Sequence, residues 1–125
     1  MKDITEAKRY ISNAKDILRE KAIKEDGYYK DRKYVKMAGH TAYSGVLVAL
    51  DSVLVDKSKK TRKSVEWYQK ELSVLDKKIL SDFMAAYDIL HLSMSYDGVL
   101  KAEISKTGIE VAEKIINWAE QRSQA

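Results

Sequence analysis

Cysteine is absent from the 125 residues, which excludes disulfides, thiolate metal sites and cysteine nucleophiles. Proline is absent too, so nothing breaks a helix from within. The five glycines are scattered, and none precedes Lys-Ser or Lys-Thr at the spacing of a phosphate-binding loop. There is no Gly-x-Ser-x-Gly elbow for a serine nucleophile. His40 and His91 are the only histidines, too few for a His-rich zinc site. Asp88 and His91 have the acid-x-x-His spacing of di-iron bundles, but the second motif and the inward carboxylates such sites require are missing. No apolar run reaches membrane-spanning length, and the opening MKDITEAKRYI carries acids where a secretory leader would be apolar. The expectation is a cytoplasmic protein outside the membrane, with no metal and no cofactor.

Charge of one sign is also scarce outside a single segment. Lys57, Lys59, Lys60, Arg62 and Lys63 stand against Asp56 alone and account for the whole net charge of +4. The remaining 18 basic and 18 acidic residues balance. A dedicated nucleic-acid binder spreads its cations along a face, whereas these sit in one connection without an interleaved aromatic.

Helical periodicity dominates the rest. Ile4, Ala7, Ile11, Ala14, Leu18 and Ala22 form one apolar stripe, with Asp3 and Glu6 at capping-box spacing and Gly27 as a C-terminal stop. The stretch DRKYVKMAGHTAYSGVLVALDSVLV, from Asp31, is the longest apolar run. At about 100° per residue, Ala38, Ala42, Gly45, Ala49 and Ser52 fall in one narrow stripe. Tyr43, Leu47, Leu50 and Leu54 add a bulky one, so this helix packs against more than one neighbour. Val65, Tyr68, Leu72, Leu75, Ile79, Phe83, Ala86, Leu90 and Met94 keep one phase, which predicts one long helix. Ser64 can cap it, and Ser73 followed by Asp76 is the place for a break and restart. In the last helix Leu100, Ile104, Val111, Ile115 and Trp118 make the stripe, and Gly108 permits a close helix contact. The spacing thus predicts an all-α, antiparallel up-and-down four-helix bundle, one domain over 1–125 with helices at about 3–26, 31–55, 62–96 and 101–122.

Two stretches carry a family resemblance. Asp31–Leu54 resembles the second helix of HEPN-type bundles. AYDILHLSMSYDG, together with GIEVAEKIINWAE, is similar to a bacterial family of about this length treated as a HEPN-like domain of unknown function. The resemblance implies a HEPN-like bundle. HEPN proteins include ribonuclease toxins and non-catalytic partners of minimal nucleotidyltransferases, and many are dimers. Their ribonuclease motif is Arg followed a few residues later by His. Here Arg32 and His40 have seven residues between them and lie on the wrong helix, and Tyr87 and Asp88 stand where an Arg before His91 belongs. No catalytic residue is assigned.

The expected function is therefore a non-catalytic interaction module, a homodimer or the partner of a second protein such as a minimal nucleotidyltransferase. Met37, Val48, Val55, Trp67, Val74 and Leu92 are the candidate dimer surface, because large apolar groups lining up outside a core mark contact surfaces. Tyr87, His91, Ser95, Tyr96 and Asp97 are the candidate ligand or partner contact near a helix terminus. The alternative is a nucleic-acid-binding protein or divergent HEPN ribonuclease whose Lys57, Lys59, Lys60, Arg62 and Lys63 contact phosphate.

Overall fold

A computed structural model of the chain describes residues 2–54 and 63–124. Among these the protein is predominantly helical, with one small sheet. No described helix is long and apolar enough to cross a membrane.

Helix α1 (Lys2–Ile17) buries Ile4, Ala7, Ile11 and Ala14, and a π turn at Leu18–Ala22 continues the stripe through buried Leu18 and Ala22. The turn ends at Ile23, whose φ of 57° is a left-handed conformation that a β-branched residue rarely adopts. The helix therefore stops short of Gly27. The expected last residues of the first helix and the connection after it instead make a hairpin, β1 (Lys24–Glu25) against β2 (Tyr28–Tyr29). Asp26 (φ 54°) and Gly27 (φ 83°) both take positive φ, as the primed two-residue hairpin turn requires. The hairpin is anchored to the far end of the chain. Tyr29 N–H donates to the Leu100 carbonyl at 2.8 Å, and Ala102 N–H donates to the Gly27 carbonyl at 2.9 Å.

Helix α2 (Arg32–Val53) starts at Asp31, whose carboxylate accepts from Lys33 N–H at 3.0 Å. It packs on α1, on the last helix and on the segment 87–96. Its small residues decide how close these approach: a Cβ on Gly45 would lie 3.0 Å from the Ala7 carbonyl oxygen and 3.0 Å from Tyr10 Cβ.

The long third helix expected from the unbroken apolar phase is divided. Helix α3 (Val65–Leu75) begins at Ser64, which caps Trp67 N–H. Asp76 adopts an extended conformation (φ −162°) and caps helix α4 (Lys77–Ala86) by accepting from Lys78 and Ile79 N–H at 3.0 and 3.1 Å. The break turns Leu75 toward solvent, at 42 % exposure, while Tyr68, Leu72, Ile79 and Phe83 stay buried. A π-helix over Tyr87–Tyr96 then continues α4.

Helix α5 (Ala102–Gln124) buries a face other than the expected one. Ser105, Gly108, Ala112, Ile115, Ile116 and Ala119 point inward, whereas Ile104, Val111 and Trp118 are only half-buried. The face is rotated by about 100°. Small residues lie at the tight contact and large ones at its edges: a Cβ on Gly108 would come within 2.6 Å of Ile89 Cγ2 and 2.8 Å of Leu90 Cδ2. Lys8–Glu120 and Lys15–Glu113 ion pairs bridge α1 and α5 at the exposed rim, where such pairs contribute little.

Candidate functional site

The π-helix gathers the candidate contact residues, in an arrangement α-helical spacing does not provide. Around His91 stand three tyrosine rings: Tyr43 of α2 stacked at 5.1 Å, Tyr87 tilted at 5.2 Å and Tyr96 edge-on at 5.4 Å. Tyr43 and Tyr87 also meet edge to face at 6.2 Å. Such ring pairs contribute about 0.5–1.5 kcal/mol each beyond their buried area. The ladder climbs from the core to solvent, since Tyr43 is 9 % exposed, His91 half-buried and Tyr96 67 % exposed. Among the described residues His91 makes ring contacts and no hydrogen bond. Among the described residues the imidazole is thus held by ring contacts.

Met94, the last residue of the apolar stripe, is fully buried as its phase predicts, and Ser95 stands beside the ladder rather than in it. Asp97 contributes its backbone: Arg32 Nη1 donates to the Asp97 and Gly98 carbonyls at 2.9 and 3.1 Å. Asp97 caps the helix and Gly98 follows it, so the guanidinium ties down the turn that ends the π-helix. Arg32 and Tyr43 were invisible as site residues in the sequence because both come from α2. The large bulk of Tyr43 reads simply as core, which it also is.

Five of the six candidates for a dimer surface are spread over α2, α3 and the π-helix. Met37 is 44 % exposed and Val74 82 % exposed. Val48, Trp67 and Leu92 are half-buried rather than outward. Trp67 packs edge-on against Tyr68 at 5.1 Å beneath the Lys63 ammonium at 5.3 Å, so the indole partly covers the core. Val55 lies outside the described residues, as do Lys57, Lys59, Lys60 and Arg62. Lys63 turns inward to Trp67 and to Asp51, 3.7 Å away, and Asp51 also accepts from the Tyr68 hydroxyl at 2.6 Å.

A concavity of about 750 Å³ lies between the π turn after α1, the hairpin and the start of α5. Leu18, Ile23, Tyr29 and Ile109 line it, together with Ser105. Burial raises the Tyr29 phenol above its ordinary pKa, and the buried Ser105 hydroxyl has no hydrogen-bond partner among the described residues. The described residues hold no group of three His, Cys, Asp or Glu side chains able to bind a metal ion.

The described residues thus form a predominantly helical domain in which His91 lies among three tyrosine rings. The chain belongs to the family described as Domain of unknown function (DUF5618), whose family model matches residues 2–121. It is similar to a solved structure, a protein of unknown function from Dyadobacter fermentans, at 59 % identity and a TM-score of 0.91, covering 97 % of this chain and 96 % of that one. None of the curated proteins matches.

Proposed function

We propose that the chain is a HEPN-like four-helix bundle that works as a non-catalytic interaction module, pairing with a second copy of itself or with a minimal nucleotidyltransferase. The observation that carries this reading is Tyr96, a large ring 67 % exposed yet fixed in position by its edge contact to His91. A preordered aromatic on the surface loses little entropy on binding, which is why tyrosines anchor interfaces. Met37, 44 % exposed on the outer stripe of α2, supplies a second apolar group. Two observations support the absence of catalysis. Arg32 is occupied by two carbonyls, and His91 has no carboxylate or cation hydrogen-bonded to it among the described residues.

Self-association is the form to test first. Sedimentation at micromolar concentration should give about twice the chain mass of 14.3 kDa. Tyr96→Ala and His91→Ala should each shift the population toward monomer while the far-ultraviolet circular dichroism is unchanged. A clean monomer, together with submicromolar RNA binding that disappears when Lys57, Lys59 and Lys60 are neutralised, would replace this reading with the nucleic-acid one.

A further inference from the structure

The ladder depends on the width of the helix that carries it. On an α-helix His91 and Tyr96 project roughly 140° apart, and Ser95, about 40° from His91, takes the place beside the imidazole. The wider π turn, bonded from i to i+5, brings Tyr87, His91 and Tyr96 onto one side. Ten residues is long for a π-helix, a form met mostly as single-turn bulges, so something outside the segment holds it.

Two contacts from α2 do so. Gly39 lies against the π backbone itself: a Cβ there would sit 2.7 Å from the Leu90 carbonyl oxygen and 2.8 Å from Ser95 N. Those are the two atoms that i to i+5 bonding pairs. A Cβ would also meet Met94 Cβ at 2.5 Å. The swollen turn therefore occupies the volume of the missing side chain, and backbone cannot swing aside as a side-chain tip does. At the other end the closure is widened in the same sense. Val99 N–H donates to the Ser93 carbonyl at 2.9 Å and Gly98 N–H to the Met94 carbonyl at 2.9 Å. Each of these rings is one residue larger than in the Schellman closure of an α-helix. Gly98 adopts the required left-handed conformation (φ 61°), and Arg32 holds the closing turn by donating to the Asp97 and Gly98 carbonyls just past the helix end.

We propose that Gly39 and Arg32 are positioning residues that lock Tyr87–Tyr96 in the π register, and that this register creates the binding face by displaying Tyr96 over His91. The functional half of the inference rests on the interaction reading above; the conformational half does not. A helix with two accessible registers offers a partner two different surfaces, Tyr96 in one and Ser95 in the other.

Nuclear Overhauser contacts in the full-length protein test the register directly. In the wild type, the His91 ring should show contacts to the Tyr96 ring. Gly39→Ala should remove them, bring His91 next to Ser95, and weaken self-association by about tenfold or more, with the helix content retained. Arg32→Gln should act in the same direction with a smaller effect, and it decides the matter if Gly39→Ala does not fold. A wild-type spectrum without the His91–Tyr96 contacts, or variants that all keep them, would overturn the register lock. If the contacts behave as expected while Tyr96→Ala leaves association unchanged, the lock stands and the proposed use of the face falls.

Discussion

Gly108→Ala sets two effects of known size against each other at the contact of α5 with the π-helix. Alanine removes backbone freedom from the unfolded chain and favours the helix by about 0.5–1 kcal/mol. Opposing this, the new Cβ would stand 2.6 Å from Ile89 Cγ2 and 2.8 Å from Leu90 Cδ2, where ordinary carbon contacts are about 3.5–4.0 Å. Neither neighbour yields easily. Ile89 is β-branched and stiff at χ1, and Leu90 is fully buried among α2, α4 and α5. Overpacking of this degree costs about 1–3 kcal/mol, so the net should be a loss of about 1 kcal/mol. For a chain of this length that lowers the melting temperature by about 3–5 °C. Thermal denaturation followed by circular dichroism measures it. The double variant Ile89→Ala with Gly108→Ala should show a favourable coupling, because the first change empties the space the second fills. A melting temperature raised by Gly108→Ala alone would refute the reasoning, since it would mean the helix gain meets no steric opposition.

Two further outcomes follow from single interactions. Asp76→Ala removes the acceptor of two N–H groups at the start of α4 and should cost about 0.5–2 kcal/mol in urea denaturation; a midpoint matching the wild type would show that the cap is dispensable. The raised Tyr29 phenol is more protonated in the folded than the unfolded chain at alkaline pH. Its contribution is therefore complete below the ordinary value of 10.0 and is lost as pH climbs through and beyond it. Tyr29→Phe should flatten that alkaline decline, and an unchanged slope would assign it to other groups.

How far the sequence reached differs from element to element. The stripe Ile4–Ala22 and the small-residue side of α2 could be read from periodicity because each helix needs only its own spacing to define a buried face. Asp31 and Ser64 were legible as caps for the same reason: a cap bonds within three residues of itself. The Asp26–Gly27 pair carried a local hairpin signal too, but two-residue strands alternate too briefly to register. At α5 the apolar pattern picked out Ile115 and Gly108 but missed the centre of the buried face. Ala, Gly and Ser weigh little in a hydropathy stripe, yet a close contact with Ile89 and Leu90 admits only small side chains.

Other features belong to the tertiary structure alone. Ala86, Leu90, Met94 and Gly98 follow one another every four residues, a step between the α and the wider π period, so local sequence is compatible with both. What favours the π form is the space left by Gly39 and the donor supplied by Arg32, both from another helix. The same holds for the site. Residues Tyr87, His91, Tyr96 and Asp97 were visible as a cluster near a helix end, but that Tyr43 would stack on His91 and that Asp97 would offer its carbonyl depended on the packing of α2. Periodicity reports which side of a helix is buried; the width of the helix, and hence which side chains share that side, is decided by what it is buried against.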